Sequence, residues 1–301
     1  LAQLGKLGEA EANYRQAIAL KPESSGIHSN FGVTLKEQGK LDEARAHYIQ
    51  AIILNPDVAE THSNFGSVLN GQEKLEEAKS IYTKAIILKP NLTVAFWNLH
   101  GLEKNIKDAE RWINKCLDAD ENHTRANLMK AALRFYQGDR NNFDELMQSE
   151  LKQHPYMRSF SWAFSLPSLP ELHFNKFYFF DAIAKKSIIS RPFYEFGVWR
   201  ASSFKYLIQS FKKGYGFDTF TGLPEDWSSE DGGVSHKAGA YTSGGAVPRI
   251  PGGEFIVGEF EHTLPVFFSQ NRPVASLINF DADLYSSTIC ALNSMFGITS
   301  F

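Results

Sequence analysis

The chain has 301 residues and carries 31 Lys and Arg against 34 Asp and Glu, which gives a formal net charge of −3. This balance provides no basic surface for nucleic acid or anionic membranes, so neither is expected as a partner. No apolar run approaches the roughly 18 residues that a membrane-spanning helix requires. The two cysteines, Cys116 and Cys290, are too few and too distant for a disulfide framework, and they indicate a reducing, cytoplasmic location.

The first half of the chain repeats itself with a period of 34 residues. The period links prolines, alanines and tyrosines in register, namely Pro22, Pro56 and Pro90; Ala10, Ala44 and Ala78; and Tyr14, Tyr48 and Tyr82. Small residues let two helices cross closely, and proline stops the second helix. The period is that of the tetratricopeptide repeat (TPR), and it predicts an α-helical TPR solenoid over residues 1–153.

Two weaker repeats follow the regular ones. A fourth unit runs from about Val94 to Asn122, with Ala109 and Cys116 at the small-residue positions. It fits the pattern only with a turn between its helices that is about three residues shorter. A fifth unit occupies 124–153, where Phe143 takes a position normally held by Ala. Degenerate repeats are expected where an array ends.

The repeats allow two interpretations of their role. The concave face of the array binds a protein or peptide partner, or the repeats serve only as a scaffold or dimerisation arm. Asn30 and Asn64 recur 34 residues apart. By resemblance to such arrays, these positions present polar groups to a ligand.

Residues 154–172 are predicted to be a structured connector, because Pro155, Pro167 and Pro170 interrupt a stretch that is too aromatic for a free linker. Residues 173–301 are predicted to form the second domain, which opens with an amphipathic helix over 173–186.

The second domain alternates short apolar strands with helices. A strand at 191–198 ends in Glu195 and Gly197, and Ser202 is available as an N-cap of the following helix. A second strand ends in Asp218, about twenty residues after the glycine, where an acid is suited to accept hydrogen bonds from ribose hydroxyls. Further strands are predicted at 255–260 and 275–283. The order predicts an α/β Rossmann-like sheet.

Three motifs of this domain carry a family resemblance. They are Glu-Phe-Gly-Val-Trp-Arg at 195–200, Gly-Phe-Asp-Thr-Phe-Thr-Gly-Leu-Pro-Glu-Asp-Trp at 216–227 and Asp-Ala-Asp-Leu-Tyr-Ser-Ser-Thr at 281–288. In this order they resemble the macrocin O-methyltransferase-like family. The resemblance implies a class I methyltransferase domain that uses S-adenosylmethionine, with Mg²⁺ as the metal. The implied substrate is a hydroxyl group of a sugar, glycan or other small molecule.

The resemblance also implies roles for particular residues. Four of them are expected to bind the cofactor: Glu195, Gly197, Ser202 and Asp218. Asp281 is expected to ligate the metal and to act as the general base, with Asp283 as a second metal ligand. A hard cation held by carboxylates lowers the pKa of an acceptor hydroxyl, and a positioned base then removes its proton.

Each of these roles has a structural alternative. Asp218 would otherwise cap a turn, and Asp283 would otherwise be the N-cap of the helix that starts at Leu284. His236 lies in a glycine-rich stretch at 232–253. This stretch is either a lid over the site with a catalytic histidine, or a long insertion with a solvated one.

The chain departs from the family pattern at two places. Ala201 and Ser202 stand where a glycine pair is usual, which restricts the approach of the backbone to the cofactor. The sequence ends at Phe301, 13 residues after Thr288. We therefore expect the last strands, and an acid pair that completes the metal site, to be missing, with a sheet edge left exposed.

These observations lead to one main interpretation and two rivals. The main interpretation is an O-methyltransferase domain with a TPR arm that recruits a partner or substrate. The first rival is a non-catalytic TPR interaction scaffold whose second domain is vestigial. The second, a repeat-bearing glycosyltransferase, fits the acid-ended strands poorly.

Overall fold

The computed structural model describes residues 7–228 and 235–297. These residues form two compact units, which divide between Tyr178 and Phe179. The second domain was expected to begin at residue 173, six residues earlier. Gly232 and Gly233, at the start of the predicted glycine-rich stretch, lie outside the described residues.

The first unit is built from helices that pair in sequence order. Their bounds are α1 Leu7–Leu20, α2 Ser25–Glu37, α3 Leu41–Leu54, α4 Ala59–Gly71, α5 Leu75–Leu88, α6 Thr93–His100, α7 Ile106–Ala119, α8 Thr124–Tyr136 and α9 Asn141–Met147. The main contacts join α2 to α3, α4 to α5 and α6 to α7, while α2 touches α4 and α4 touches α6. This is the helical hairpin arrangement of a TPR solenoid, as the period predicts.

Two glycines set how closely the hairpin helices approach. A Cβ atom on Gly32 would lie 2.8 Å from the ring of Tyr48, and one on Gly66 would lie 2.7 Å from the ring of Tyr82. Both rings are completely buried, so the space that the missing side chain leaves is filled. The 34-residue period of these residues therefore records a repeated packing contact.

The fourth repeat keeps the hairpin but changes this contact. Helix α7 begins 31 residues after α5, which confirms the turn that is three residues shorter. At the glycine position stands His100, and at the tyrosine position of the shortened repeat stands Ile113. Both are buried. A large residue thus replaces a small one on the first helix, while a smaller residue replaces the tyrosine on the second.

The connector continues the first unit as a helix. A 3-10 helix at Glu150–Gln153 leads into α10 at Pro155–Phe164. Leu128 of α8, Phe143 of α9 and Met157 of α10 form one buried cluster, and the rings of Phe135 and Phe164 stack at 4.2 Å. The predicted connector is therefore ordered and packs on the last repeat.

The second unit contains a parallel sheet of four strands. The strands are β1 Phe193–Phe196, β2 Gly214–Asp218, β5 Gly253–Val257 and β6 Leu277–Phe280, in the order β5-β2-β1-β6. Three helices follow strands, namely α12 Ser202–Leu207, α13 Phe260–Phe268 and α14 Tyr285–Phe296. All four predicted strands are present, and the sheet is compatible with a Rossmann-like domain.

Two further elements complete the description. The short strands β3 Trp227–Ser228 and β4 Ser235–His236 pair antiparallel, which the sequence reasoning did not predict. Helix α11, Lys176–Lys186, is the amphipathic helix expected at 173–186 and contains the boundary between the units. Among the described residues, no helix is both long and apolar enough to cross a lipid bilayer.

One edge of the parallel sheet brings the predicted site residues together. The central strand β1 pairs with β2 on one side and with β6 on the other, in matched register. The carboxyl ends of parallel strands meet at one edge, and ligands bind there in open α/β sheets where neighbouring connections diverge. The ends of β1, β2 and β6 therefore define the candidate site of the second unit.

Candidate functional site

The loop after β1 is fitted closely to the end of β6. Gly197 has a φ of 85°, and a Cβ atom on it would collide with the backbone carbonyl group of Asp281. The backbone N–H of Asp281 donates to the carbonyl oxygen of Phe196 at 2.8 Å. Only glycine meets both demands, so the predicted glycine has a structural reason that is independent of any cofactor.

Asp218 organises the same loop from the end of β2. Its Oδ2 atom accepts hydrogen bonds from the backbone N–H groups of Val198 at 2.7 Å and Trp199 at 2.8 Å. Its Oδ1 atom accepts from the N–H of Phe220 at 2.6 Å. A carboxylate has about four acceptor positions, so these bonds leave about one for a ribose hydroxyl. Capping of a turn, the alternative role, is present, and the ribose contact stays a prediction.

Backbone strain is concentrated around this carboxylate. Trp199, Ala201, Phe220 and Tyr241 have φ values of 47°, 60°, 58° and 58°, in the left-handed region that residues with a side chain rarely adopt. The bonds to Asp218 hold two of these residues in place. Such strain is found where a site over-determines its backbone, and it supports a functional hypothesis.

Two predicted cofactor residues occupy positions other than those expected. Glu195 lies within β1 rather than in the loop, since β1 pairs on both sides as far as Phe196, and its side chain is only 1% exposed. Ser202 is the first residue of α12 and not its N-cap, which is Ala201. Asn279 of β6 stands beside Glu195 in register. The Nδ2 atom of Asn279 is buried and has no hydrogen-bond partner among the described residues.

Asp281 and Asp283 are both exposed to solvent at the end of β6. Partial burial raises the pKa of Asp283, and the neighbouring charges of Asp281 and Asp218 raise it further, while His236 opposes them. These three carboxylates therefore lie close enough to repel one another. The N-cap of α14 is Leu284, so the alternative in which Asp283 caps that helix is wrong.

His236 belongs to an aromatic group beside these acids. Its Nε2 atom lies 2.9 Å from the hydroxyl of Tyr241, and its ring stacks on Trp227 at 5.6 Å. Burial and the charge of Asp283 raise the pKa of Tyr241. The solvated alternative for His236 is thus replaced by a packed one, whereas a catalytic role stays a prediction.

The donor set fits the two predicted ligands to different degrees. In the described parts of the chain, no three His, Cys, Asp or Glu side chains form a group that could hold a metal ion. Mg²⁺ requires about six oxygen ligands, so Asp281 and Asp283 alone do not make a complete site. A small polar cofactor fits better, because Asp218 retains acceptor capacity and Asn279 has an unsatisfied buried donor.

The structure adds residues that the sequence reasoning missed. The hydroxyl of Ser286 donates to Glu225 at 2.6 Å and ties the loop after β2 to α14. The indole of Trp199 donates to the carbonyl oxygen of Thr242 at 3.3 Å. Glu225 and Trp199 both lie within the quoted motifs, where a weighing of their polar groups would have found them. Thr242 carries no such signal.

A second candidate site lies on the first helices of the repeats. Asn30 of α2, Asn64 of α4 and Asn98 of α6 follow one another at intervals of 34 residues, and we call them the asparagine row. Asn98 was missed, although the period would have found it. Within the described residues, none of these three side chains takes part in a hydrogen bond. The row therefore presents donors and acceptors that the fold leaves available.

Comparison with known families matches the repeats. A family model described as TPR repeat matches residues 1–39 and 32–72, and one described as tetratricopeptide repeat matches residues 59–92. No curated protein matches the chain. The comparisons give no support to the predicted methyltransferase domain, which stays a prediction.

Several solved structures resemble about half of the chain or less. PilF of Pseudomonas aeruginosa is 21% identical over 54% of this chain and 83% of its own, with a TM-score of 0.46. YrrB, described as a TPR protein with an unusual peptide-binding site, is 18% identical over 54% and 87%, with a TM-score of 0.43. The first TPR of Spaghetti (RPAP3), bound to the HSP90 peptide SRMEEVD, is 19% identical over 38% and 94%, with a TM-score of 0.36.

These likenesses are too low to identify a function, so the repeat assignment depends on the family models and on the period. The models cover residues 1–92, and the helical hairpins continue the pattern beyond them. The first part of this chain consists of tetratricopeptide repeats, an architecture that indicates a protein-interaction scaffold.

Proposed function

We propose that the repeat unit binds an extended segment of a partner protein along α2, α4 and α6. The observation that carries this proposal is the asparagine row, whose three side-chain amides are in register and make no hydrogen bond within the described residues. An amide side chain offers both a donor and an acceptor, as does every peptide unit of an extended chain. The row therefore suits recognition of a peptide backbone.

The spacing of the row agrees with this chemistry. Packed helices lie about 8–10 Å apart, and an extended chain advances about 3.3 Å per residue. Each asparagine would meet about every third residue of the peptide, and the row would span about seven residues. Side chains between the contacts, such as Val33 and Ser67, would select the sequence.

The test is selection of peptides from a displayed library of random 12-residue sequences on the full chain. Fluorescence anisotropy then measures the selected peptides on the wild type and on Asn30→Ala/Asn64→Ala/Asn98→Ala. We expect at least tenfold weaker binding to the triple variant. The control Asn91→Ala/Asn142→Ala removes two exposed amides outside the row and should bind as the wild type does. Selection of no peptide, or equal affinity for the triple variant, contradicts the proposal.

A second function is proposed for the second unit, S-adenosylmethionine-dependent methylation of a hydroxyl group. The observation that favours it is the meeting of Asp218, Asp281 and Asp283 around the glycine loop at the ends of β2, β1 and β6. The cofactor, when bound, supplies an electrophilic methyl group. Asp218 would orient the ligand through its remaining acceptor position, and Asp281 would accept the hydroxyl proton.

Titration calorimetry of S-adenosylhomocysteine into the full chain, with and without Mg²⁺, tests this second function. Asp281→Asn removes the proposed base but leaves the loop bonds of Asp218, so it should bind the product and fail to transfer methyl groups. Asp218→Asn should weaken binding at least fivefold. Absence of saturable binding by the folded wild type would leave the second unit as a structural domain, as in the scaffold interpretation.

A further inference from the structure

Residues 173–178, which we call the docked segment, pack on the first helices of the repeats. The Nδ2 atom of Asn175 donates to Oδ1 of Asn70, in α4, at 3.1 Å. The ring of Phe174 meets His100, in α6, edge to face at 6.4 Å. The ammonium group of Lys104 lies 5.0 Å from the ring centre of Tyr178. The segment is therefore held by an amide, an aromatic and a cation–π contact, all within the first unit.

The repeat sequence changes where this segment docks. The backbone carbonyl oxygen of Phe174 lies 3.6 Å from the position that a Cβ atom on Gly101 would take. The two preceding repeats have Val33 and Ser67 at the position of Gly101, and glycine where this repeat has His100. One replacement removes a side chain beneath the segment, and the other supplies the ring that Phe174 touches. The fourth repeat is thus adapted to hold an extended chain.

The docked segment lies next to the asparagine row. Asn98 precedes Gly101 by three residues, and Asn64 precedes Asn70 by six. At 1.5 Å of rise per residue, these separations are about 4.5 Å and about 9 Å along the helix axes. A peptide that follows the row from Asn30 to Asn98 would therefore reach the space that Phe174 and Asn175 occupy.

We propose that the docked segment is an intramolecular ligand of the repeat unit, which a partner peptide must displace at the α6 end of the asparagine row. The proposal rests on the peptide-binding function proposed above. A tethered segment acts at an effective concentration on the order of millimolar. It would therefore oppose weak peptides strongly and admit only those that bind well along the rest of the row.

The same segment connects displacement to α11. Asn175 accepts a hydrogen bond from the N–H of Phe177 at 2.9 Å through Oδ1, and so caps the start of α11 while its Nδ2 atom holds Asn70. A serine at this position keeps the capping oxygen but is too short to reach α4. Asn175→Ser therefore separates release of the segment from loss of the helix cap.

The experiment uses a fluorescein-labelled synthetic peptide with the sequence of residues 171–178 and the full chain. Anisotropy compares the wild type with Phe174→Ala/Asn175→Ser, in which the tethered segment has lost two of its contacts. We expect the double variant to bind the peptide at least tenfold more tightly than the wild type. Adding Asn70→Ala should remove most of this gain. The control Trp162→Ala, which removes an exposed ring of α10, should bind as the wild type does.

Equal affinity of the wild type and the double variant, or no binding by a folded double variant, would overturn the proposal. Circular dichroism establishes that the variant is folded; if it is not, Asn175→Ser alone should still bind at least threefold more tightly. Because the library selection uses other peptides and the asparagine-row variant, failure of the intramolecular ligand is distinguishable from failure of peptide binding itself.

Discussion

The carboxylate of Asp218 holds Trp199 in a left-handed backbone conformation. The N–H of Trp199 donates to Oδ2 of Asp218 at 2.8 Å, and Trp199 has a φ of 47°. A charged acceptor forms stronger hydrogen bonds than a neutral one, which offsets a backbone cost of about 1–2 kcal/mol. The loop after β1 thus depends on a residue of the neighbouring strand.

Asp218→Ala should destabilise the second unit by about 3 kcal/mol, because three backbone N–H groups lose a charged acceptor. Hydrogen exchange of the Val198 and Trp199 amides should accelerate, and thermal unfolding of the second unit should begin earlier. Asp226→Ala removes an exposed carboxylate bound to Lys237 and should leave those two amides unchanged. Unaltered exchange in Asp218→Ala would show that the loop is held by other contacts.

Asp283→Asn should stabilise the second unit at pH 7. The pKa of Asp283 is raised in the folded chain by partial burial and by the charges of Asp281 and Asp218. Its ionised form therefore opposes folding above this pKa, and the penalty disappears as the pH falls below the unfolded value of about 3.9. Melting temperatures from pH 3 to 8 should show a gain at neutral pH that vanishes in acid. A gain that does not change with pH would exclude charge repulsion as its cause.

Gly66→Ala should destabilise the repeats by about 1–3 kcal/mol, although alanine favours helix, because the new methyl group meets the buried ring of Tyr82 at 2.7 Å. Gly26→Ala is the matched control, since a Cβ atom there meets nothing within 4 Å in the same kind of helix. It should be neutral or stabilising by up to about 1 kcal/mol. Urea unfolding followed by circular dichroism measures both, and equal effects would contradict the packing argument.

Acid should weaken the first unit through His100. Burial lowers its pKa to about 4. The unfolded chain therefore takes up a proton below about pH 6.5 that the folded chain refuses, and stability falls by up to about 3 kcal/mol between pH 6.5 and 4. His100→Gln should flatten this dependence in urea titrations across the same range. A slope identical to that of the wild type would assign the acid sensitivity to other groups.

The sequence predicted the repeats well because a 34-residue period reports local packing. Gly66 and Tyr82 recur with their partners, and even the three-residue deletion before α7 was visible in the positions of Ala109 and Cys116. The four parallel strands followed from short apolar runs between turn residues.

The details of the candidate sites depended on contacts between distant segments. The bonds from Val198 and Trp199 to Asp218 and the collision that only Gly197 avoids require knowledge of strand order. Glu195 was expected in a loop because an acid beside glycine is typical of one, yet pairing on both sides kept it in β1. The contact of Asn175 with Asn70 spans 105 residues, and no local pattern predicts it.

The equal spacing of Asn30, Asn64 and Asn98 has a consequence for how such a chain changes over generations. Groups that contact a main chain make the same contact with every sequence, so a duplicated hairpin would lengthen the bound stretch by about three residues and leave the existing choice of side chains intact. The number of repeats would then act as a ruler for the partner, adjustable by whole units of 34 residues.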